Sequence, residues 1–129
     1  MSNSATTYRI SDLAKEFGVT TRTIRHYEEL GLLSPMRAGQ ARIYSRGDRT
    51  RLKLILRGKR LGFSLQESRD IIQLYDPSHN NREQLVQLSE KIQQQKLRLQ
   101  EQLQDIHALI NELNSAEQEC QQALAQSSQ

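Results

Sequence analysis

The sequence predicts a mainly α fold: a small head of short helices with one β-hairpin, followed by a long helix that needs a partner. Three observations predict it. Start and stop signals for short helices recur through the first 75 residues, a Pro- and Gly-containing stretch interrupts them, and Gly and Pro are absent from Arg82 onward. With 129 residues, no Trp and two Phe, the chain can build one modest core plus an appended element.

Residues 1–7 are polar and read as a disordered leader. Ser11 can cap a short helix whose inward face is Leu13, Ala14 and Phe17, and Gly18 ends it. Thr20 can cap a second helix, Thr21 to Leu30, closed by Gly31, so that two short helices meet across a tight turn in a helix-turn-helix arrangement. In residues 32–44 Pro35 blocks helix continuation, Gly39 permits a turn and Ile43-Tyr44 suit a strand. This is a small hairpin with Arg37 at its tip and Arg42 on its flank. Ser45 with Asp48, and Ser64 with Glu67, have capping-box spacing and open two further helices, the first running to Leu61 and the second to Tyr75.

Residues 76–81, DPSHNN, read as a linker. From Arg82 one heptad frame places Leu85, Ile92, Leu99, Ile106, Leu113 and Cys120 at one seam position. The other position holds Ser89, Lys96, Leu103, Ile110, Glu117 and Leu124. Such a seam cannot be buried by one helix, and the simplest partner is a second copy. Ser115 with Gln118 has cap spacing, so a break near Asn114-Ser115 is expected. The long helix would then span 82–113, and 114–129 would form a short helix and tail.

Charge is unevenly divided. Residues 1–69 hold 14 basic and 6 acidic side chains, a balance of +8, whereas residues 70–129 hold 4 and 9, a balance of −5. A cationic head suits a polyanion. On the second helix Thr21, Arg22, Arg25 and His26 would be exposed, which fits a helix reading base edges and phosphates in a major groove. On the helix from residue 46, Arg46, Arg49, Lys53, Arg57 and Arg60 fall within an arc of roughly 80° at about 100° per residue. Aligned like charges repel, and no acidic residue at helical spacing beyond Asp48 offsets them, so an anionic partner such as DNA is expected opposite.

Other functions are disfavoured. There is no HExxH, no Gly-rich phosphate loop and no Ser/His/Asp set in a recognisable context, so no enzyme is expected. His26, His79 and His107 lie in three different elements without ligand spacing, and the lone Cys120 cannot form an internal disulfide, so no metal site or resident cofactor is expected. A signal-like or membrane-spanning apolar stretch is missing, which with the single cysteine predicts a cytoplasmic protein.

The run YRISDLAKEFGVTTRTIRHYEELGLLSPMRAGQARIYSRGDRTRLKLILRGKRLGFSLQESRDIIQLY, residues 8–75, closely resembles the DNA-binding domain of the MerR family of bacterial transcriptional regulators. The pieces that carry the resemblance are TIRHYEELGLL, RIY followed by Asp48-Arg49, and LGFSLQE. It implies a winged helix-turn-helix in which the hairpin is a wing and the next helix pair a second wing. The long helix would form an antiparallel dimerisation coiled coil through Leu85, Ile92, Leu99, Leu103, Ile106, Ile110 and Leu113. Carried over by motif position, Thr21, Arg22, Arg25 and Tyr27 would meet DNA from the recognition helix, Arg42 and Tyr44 from the hairpin, and Lys59 or Arg60 from the second wing.

The resemblance further implies a homodimer on an inverted-repeat promoter operator, where RNA polymerase is the other partner. A small effector would switch transcription by deforming the DNA. Within the family, RLKLILRGKRLGFSL and YDP look most like regulators of leucine and isovalerate degradation, which implies a pathway metabolite, a coenzyme A ester, as effector. Metal- and redox-sensing relatives carry two or more cysteines beyond the dimerisation helix, whereas Cys120 stands alone. Two alternatives stay open: a thiol or metal response through Cys120, and an architectural coiled-coil DNA-binding protein with no effector.

Overall fold

Short capping signals set most of the element boundaries. The computed structural model describes residues 6–127, in the order β1 (Thr7–Arg9), α1 (Ile10–Phe17), α2 (Thr21–Glu29), β2 (Met36–Ala38), β3 (Ala41–Ser45), α3 (Arg46–Leu61), α4 (Leu65–Gln73) and α5 (Arg82–Ser127). The chain divides into two compact units, one up to Ser89 and one from Glu90 onward. Among the described residues, no helix is long and apolar enough to cross a membrane.

The cap of α1 is not Ser11. Arg9 occupies that position, and its backbone N–H donates to Asp12 Oδ2 at 3.0 Å, which moves the helix start two residues earlier. Gly18 ends α1 at φ 66°, in the left-handed region that a side chain would strain. Two residues later Thr20 caps α2, its Oγ1 accepting from Thr23 N at 3.1 Å. Ser45 and Ser64 cap α3 and α4 as their capping boxes imply. The second of these helices ends at Gln73, slightly before Tyr75.

The hairpin β2–β3 has a third strand beside it. The sheet order is β1-β3-β2, with Tyr8 opposite Tyr44 and Arg37 opposite Arg42. The expected leader at 1–7 therefore needs correction at its end: residues 1–5 lie outside the described residues, but Thr7 already pairs with Ser45. A three-residue strand carries too little alternation to announce itself; it forms because β3 offers an open edge.

The core gathers Leu13 of α1, Ile24 and Tyr27 of α2, Leu32 and Leu33 of the following loop, Tyr44 of β3, Leu52 and Ile55 of α3, and Ile72 of α4. Asp48, 2% exposed, ties the loops to this core. Its Oδ1 accepts from Ser34 N at 3.2 Å, and its Oδ2 accepts from the N–H and hydroxyl of Ser45, each at 3.2 Å. Packing of α3 on α4 depends on Gly58, where a Cβ would stand 2.6 Å from Ser68 Oγ.

Residues 76–81 are an organised turn. Asp76 Oδ1 accepts from Ser78 N at 2.9 Å and Ser78 Oγ at 2.7 Å, and Asn81 Oδ1 accepts from Asp76 N at 2.6 Å. The Ser78 bonds, with His79 adding to them, hold the Asp76 carboxyl down to about 2. The expected break near Asn114-Ser115 does not form, and α5 continues through both to Ser127. Neither residue removes a backbone donor as Pro would, so cap spacing alone does not stop a helix between good helix formers. Residues 128–129 of the expected tail lie outside the described residues.

Tyr44 is fully enclosed, its hydroxyl is without a hydrogen-bond partner among the described residues, and burial pushes its phenol up. Since an unpaired buried hydroxyl costs about 1–3 kcal/mol, Tyr44→Phe should leave stability unchanged or raise it by about 1 kcal/mol. Thermal or urea unfolding checks this, and a loss of 2 kcal/mol or more, on the order of a charged-group hydrogen bond, would show that the hydroxyl is satisfied.

Candidate nucleic-acid interface

Helix α2 turns Ile24 and Tyr27 into the core, which leaves Arg22, Arg25, His26 and Glu29 on the opposite, exposed side. Arg25 Nη2 donates to Thr21 Oγ1 at 3.2 Å, one turn earlier, so the two side chains present themselves together. Two surface depressions meet at Arg25. One is lined by residues of α2 together with Lys59 of α3. The other joins Arg9, Ser11 and Arg25 to Gln40, Ala41 and Arg42 of the hairpin.

The resulting concave, cationic surface draws on β1, α1, α2, the hairpin and α3. It has the shape and charge that a duplex backbone would meet. Of the two second-wing candidates, Lys59 lines the depression beside α2, while Arg60 is exposed on α3 outside that lining. Arg9, Ser11 and Gln40 were not among the sequence candidates. Arg9 sits outside any charge stripe, and only the folding of β1 against β3 carries it to this surface.

Two tyrosines expected at the interface are core residues. Tyr44 is fully enclosed, which corrects the contact assigned to it by resemblance: it supports the hairpin from beneath. Tyr27 is 6% exposed and only edges the depression beside α2. Alternation along a strand and helical spacing both allow an inward tyrosine, and the choice is made by what packs above it.

The cationic stripe on α3 is also less free than its spacing suggested. Arg49 pairs with Glu16 of α1, its Nε donating to Oε1 at 3.0 Å, and its guanidinium lies over the Phe17 and Tyr8 rings at 5.8 and 5.9 Å. The Arg49 hydrogen bond holds the Glu16 carboxyl below its ordinary range, with further help from Arg49 and Lys53 charge. An acid distant in sequence thus offsets part of the stripe. Arg46, Lys53, Arg57 and Arg60 remain exposed. Arg42 is likewise engaged, through Nε, with Glu28 at 2.6 Å.

Among the described residues there is no group of three or more His, Cys, Asp or Glu placed to hold a metal, and Cys120 is an exposed free thiol on α5. The seven residues expected to form the dimer seam, Leu85, Ile92, Leu99, Leu103, Ile106, Ile110 and Leu113, are all exposed, from Ile92 at 37% to Leu113 at 61%. Leu88, outside the seam, instead lines a small apolar cavity with Leu54, Phe63, Ile71 and Ile72 between α3 and α4.

Comparisons with known proteins bear on what this surface serves. The pattern described as MerR HTH family regulatory protein matches residues 8–75, and that described as MerR, DNA binding, matches residues 49–116. The chain is 36% identical over 117 residues to the HTH-type transcriptional regulator ZntR of Escherichia coli (strain K12), covering 88% of this chain and 76% of that protein. A MerR family regulator from Bacillus cereus superposes with a TM-score of 0.63 at 26% identity, over 85% of this chain and 79% of that one. The regulator PbrR691 of Ralstonia metallidurans CH34, solved in complex with lead(II), superposes with a TM-score of 0.56 at 31% identity, over 81% of each chain. With a helix-turn-helix followed by a hairpin wing, the chain belongs to the MerR family and is a DNA-binding transcriptional regulator, not an enzyme.

Proposed function

We infer that two copies of this chain pair through α5 and place their two α2 helices on the halves of an inverted-repeat promoter operator. A small effector then switches transcription by RNA polymerase. The observation that carries this reading is the row Leu85, Ile92, Leu99, Leu103, Ile106, Ile110 and Leu113, every member exposed in the single chain. Leaving such a row in water forfeits about 1.5–3 kcal/mol for each large apolar side chain that could be buried. An antiparallel pairing with a second copy covers it and produces two heads related by a two-fold axis, which an inverted repeat matches.

On the DNA, Thr21, Arg22 and Arg25 are the base-edge and phosphate contacts of α2, with Lys59 and Arg60 adding phosphate contacts from the second wing. Arg42 and Tyr27 contribute from the rim of the same surface. The likeness to regulators of leucine and isovalerate degradation makes a coenzyme A ester the first effector to test. A thermal-shift series with coenzyme A esters tests it, because a ligand bound only by the folded state raises the melting temperature. A second reading is a metal or thiol response through Cys120. It is favoured by the exposed thiol and by the lead(II) complex of PbrR691, and disfavoured by the lack of a three-ligand cluster among the described residues.

Arg25→Ala should weaken binding to a promoter fragment by about 1–3 kcal/mol, the usual worth of a bidentate or charged base contact. Fluorescence anisotropy titration measures it, and unchanged affinity would remove Arg25 from the interface. Ile106→Glu should dissociate the dimer, since a buried unpaired charge costs several kcal/mol; an intact dimer in sedimentation velocity would overturn the seam. If Cys120→Ser abolishes a metal response in a reporter strain, the second reading displaces the first. A full response to coenzyme A esters in that variant supports the first.

A further inference from the structure

Glu28 lies on α2 with its side chain only 16% exposed, and both of its carboxylate oxygens are used. Oε1 accepts from Arg37 Nη2 at 3.1 Å, and Oε2 accepts from Arg42 Nε at 2.6 Å. These two arginines stand directly opposite each other on β2 and β3, on one face of the hairpin. Like charges in opposed cross-strand positions repel and open a short hairpin, and β2 has only three residues with which to resist. A carboxylate reaching between them from the helix removes that repulsion and fastens the hairpin to α2.

The contact has a second consequence. Glu28, Arg37 and Arg42 together carry a charge of +1, where the two arginines alone would carry +2. Neither guanidinium has another acceptor among the described residues, so each keeps donors on its fork that none of those residues uses. Arg42 also lines the depression that Arg25 enters from α2. Glu28 therefore sits where the position of the wing and the charge that the wing offers are both decided.

We propose that Glu28 is a positioning residue for DNA recognition: it holds the hairpin arginines in register with α2 and reduces the charge they present to phosphates. This rests on the DNA-binding reading above. Sequence-independent affinity grows with each phosphate neutralised, whereas discrimination needs two elements to meet the duplex in one fixed relation. Glu28 gives up some of the first to secure the second.

The test has one arm without DNA and one with it. In the free protein, Glu28→Gln should raise amide hydrogen exchange several-fold across residues 36–45 while leaving α4 unchanged. On a short random-sequence DNA duplex, the slope of log affinity against log salt should follow the summed charge of the three side chains. Each unit of charge is worth up to about 0.9 in that slope. Glu28→Gln should be steepest and bind that duplex more tightly than wild type. The double variant Glu28→Gln with Arg37→Gln should match wild type, and Arg42→Gln should be shallowest.

Unchanged hairpin exchange in Glu28→Gln would overturn the clamp. Equal slopes in wild type and Glu28→Gln would overturn the charge effect. If Glu28→Gln loosens α4 as well, Arg37→Gln and Arg42→Gln, which leave Glu28 in place, carry the test: hairpin exchange unchanged in both, or slopes equal to that of wild type, sinks the proposal. A wild-type protein with no salt-dependent duplex binding would instead refute the DNA-binding reading, with hairpin exchange still deciding the clamp.

Discussion

Crowding fourteen cationic side chains into the first 69 residues, over one small core, is the constraint on which this head depends. Repulsion of that kind works against compactness. The remedy is not general neutralisation, which would abolish the polyanion-binding surface. Three acids are placed at junctions between elements instead. Glu16 joins α1 to α3 through Arg49, Glu28 joins α2 to the hairpin, and Asp48 joins the start of α3 to the loop at Ser34 while standing 3.5 Å from Arg51.

This sorts the arginines into two kinds. Arg49, sandwiched by Glu16 and two aromatic rings, and Arg51, over the Tyr75 ring at 5.3 Å, pack the head together. Arg69 does the same from α4, donating through Nη2 to the Leu30 carbonyl at the end of α2 at 2.8 Å. That bond satisfies a helix-terminal acceptor and ties α4 to the end of α2. Arg22, Arg25, Arg46, Lys53, Lys59 and Arg60 stay exposed, and they carry the potential that a duplex would feel. Rigid elements with a few uncommitted cations read a groove better than a uniformly charged and floppy surface.

The α5 helix follows a different logic. Its backbone meets no helix breaker, since residues without Gly or Pro run through all 46 positions. What it lacks is a place for its leucines and isoleucines. An apolar row exposed along a single chain defines a missing partner more strongly than any feature of the head does, and family membership makes the second copy its natural occupant.

Local signals were enough for much of this molecule. Ser45, Ser64, Thr20 and Gly18 announce their helix ends through nearest-neighbour hydrogen bonds and backbone preference, and the heptad row needs only counting. Two local signals misled: Ser11 lies inside α1, and Ser115 lies inside α5, because cap spacing is only an opportunity that a neighbouring cap or an uninterrupted helix can override. Strand β1, the inward turn of Tyr44, the capture of Arg49 by Glu16 and the sharing of Glu28 between Arg37 and Arg42 join residues from 9 to 38 positions apart. Composition and periodicity decided that there would be helices, a hairpin, a cationic head and an unpartnered rod. Which cations remain free to meet DNA was decided only when distant acids and rings came within bonding distance, because electrostatic pairing depends on separation in space and carries no trace in sequence spacing.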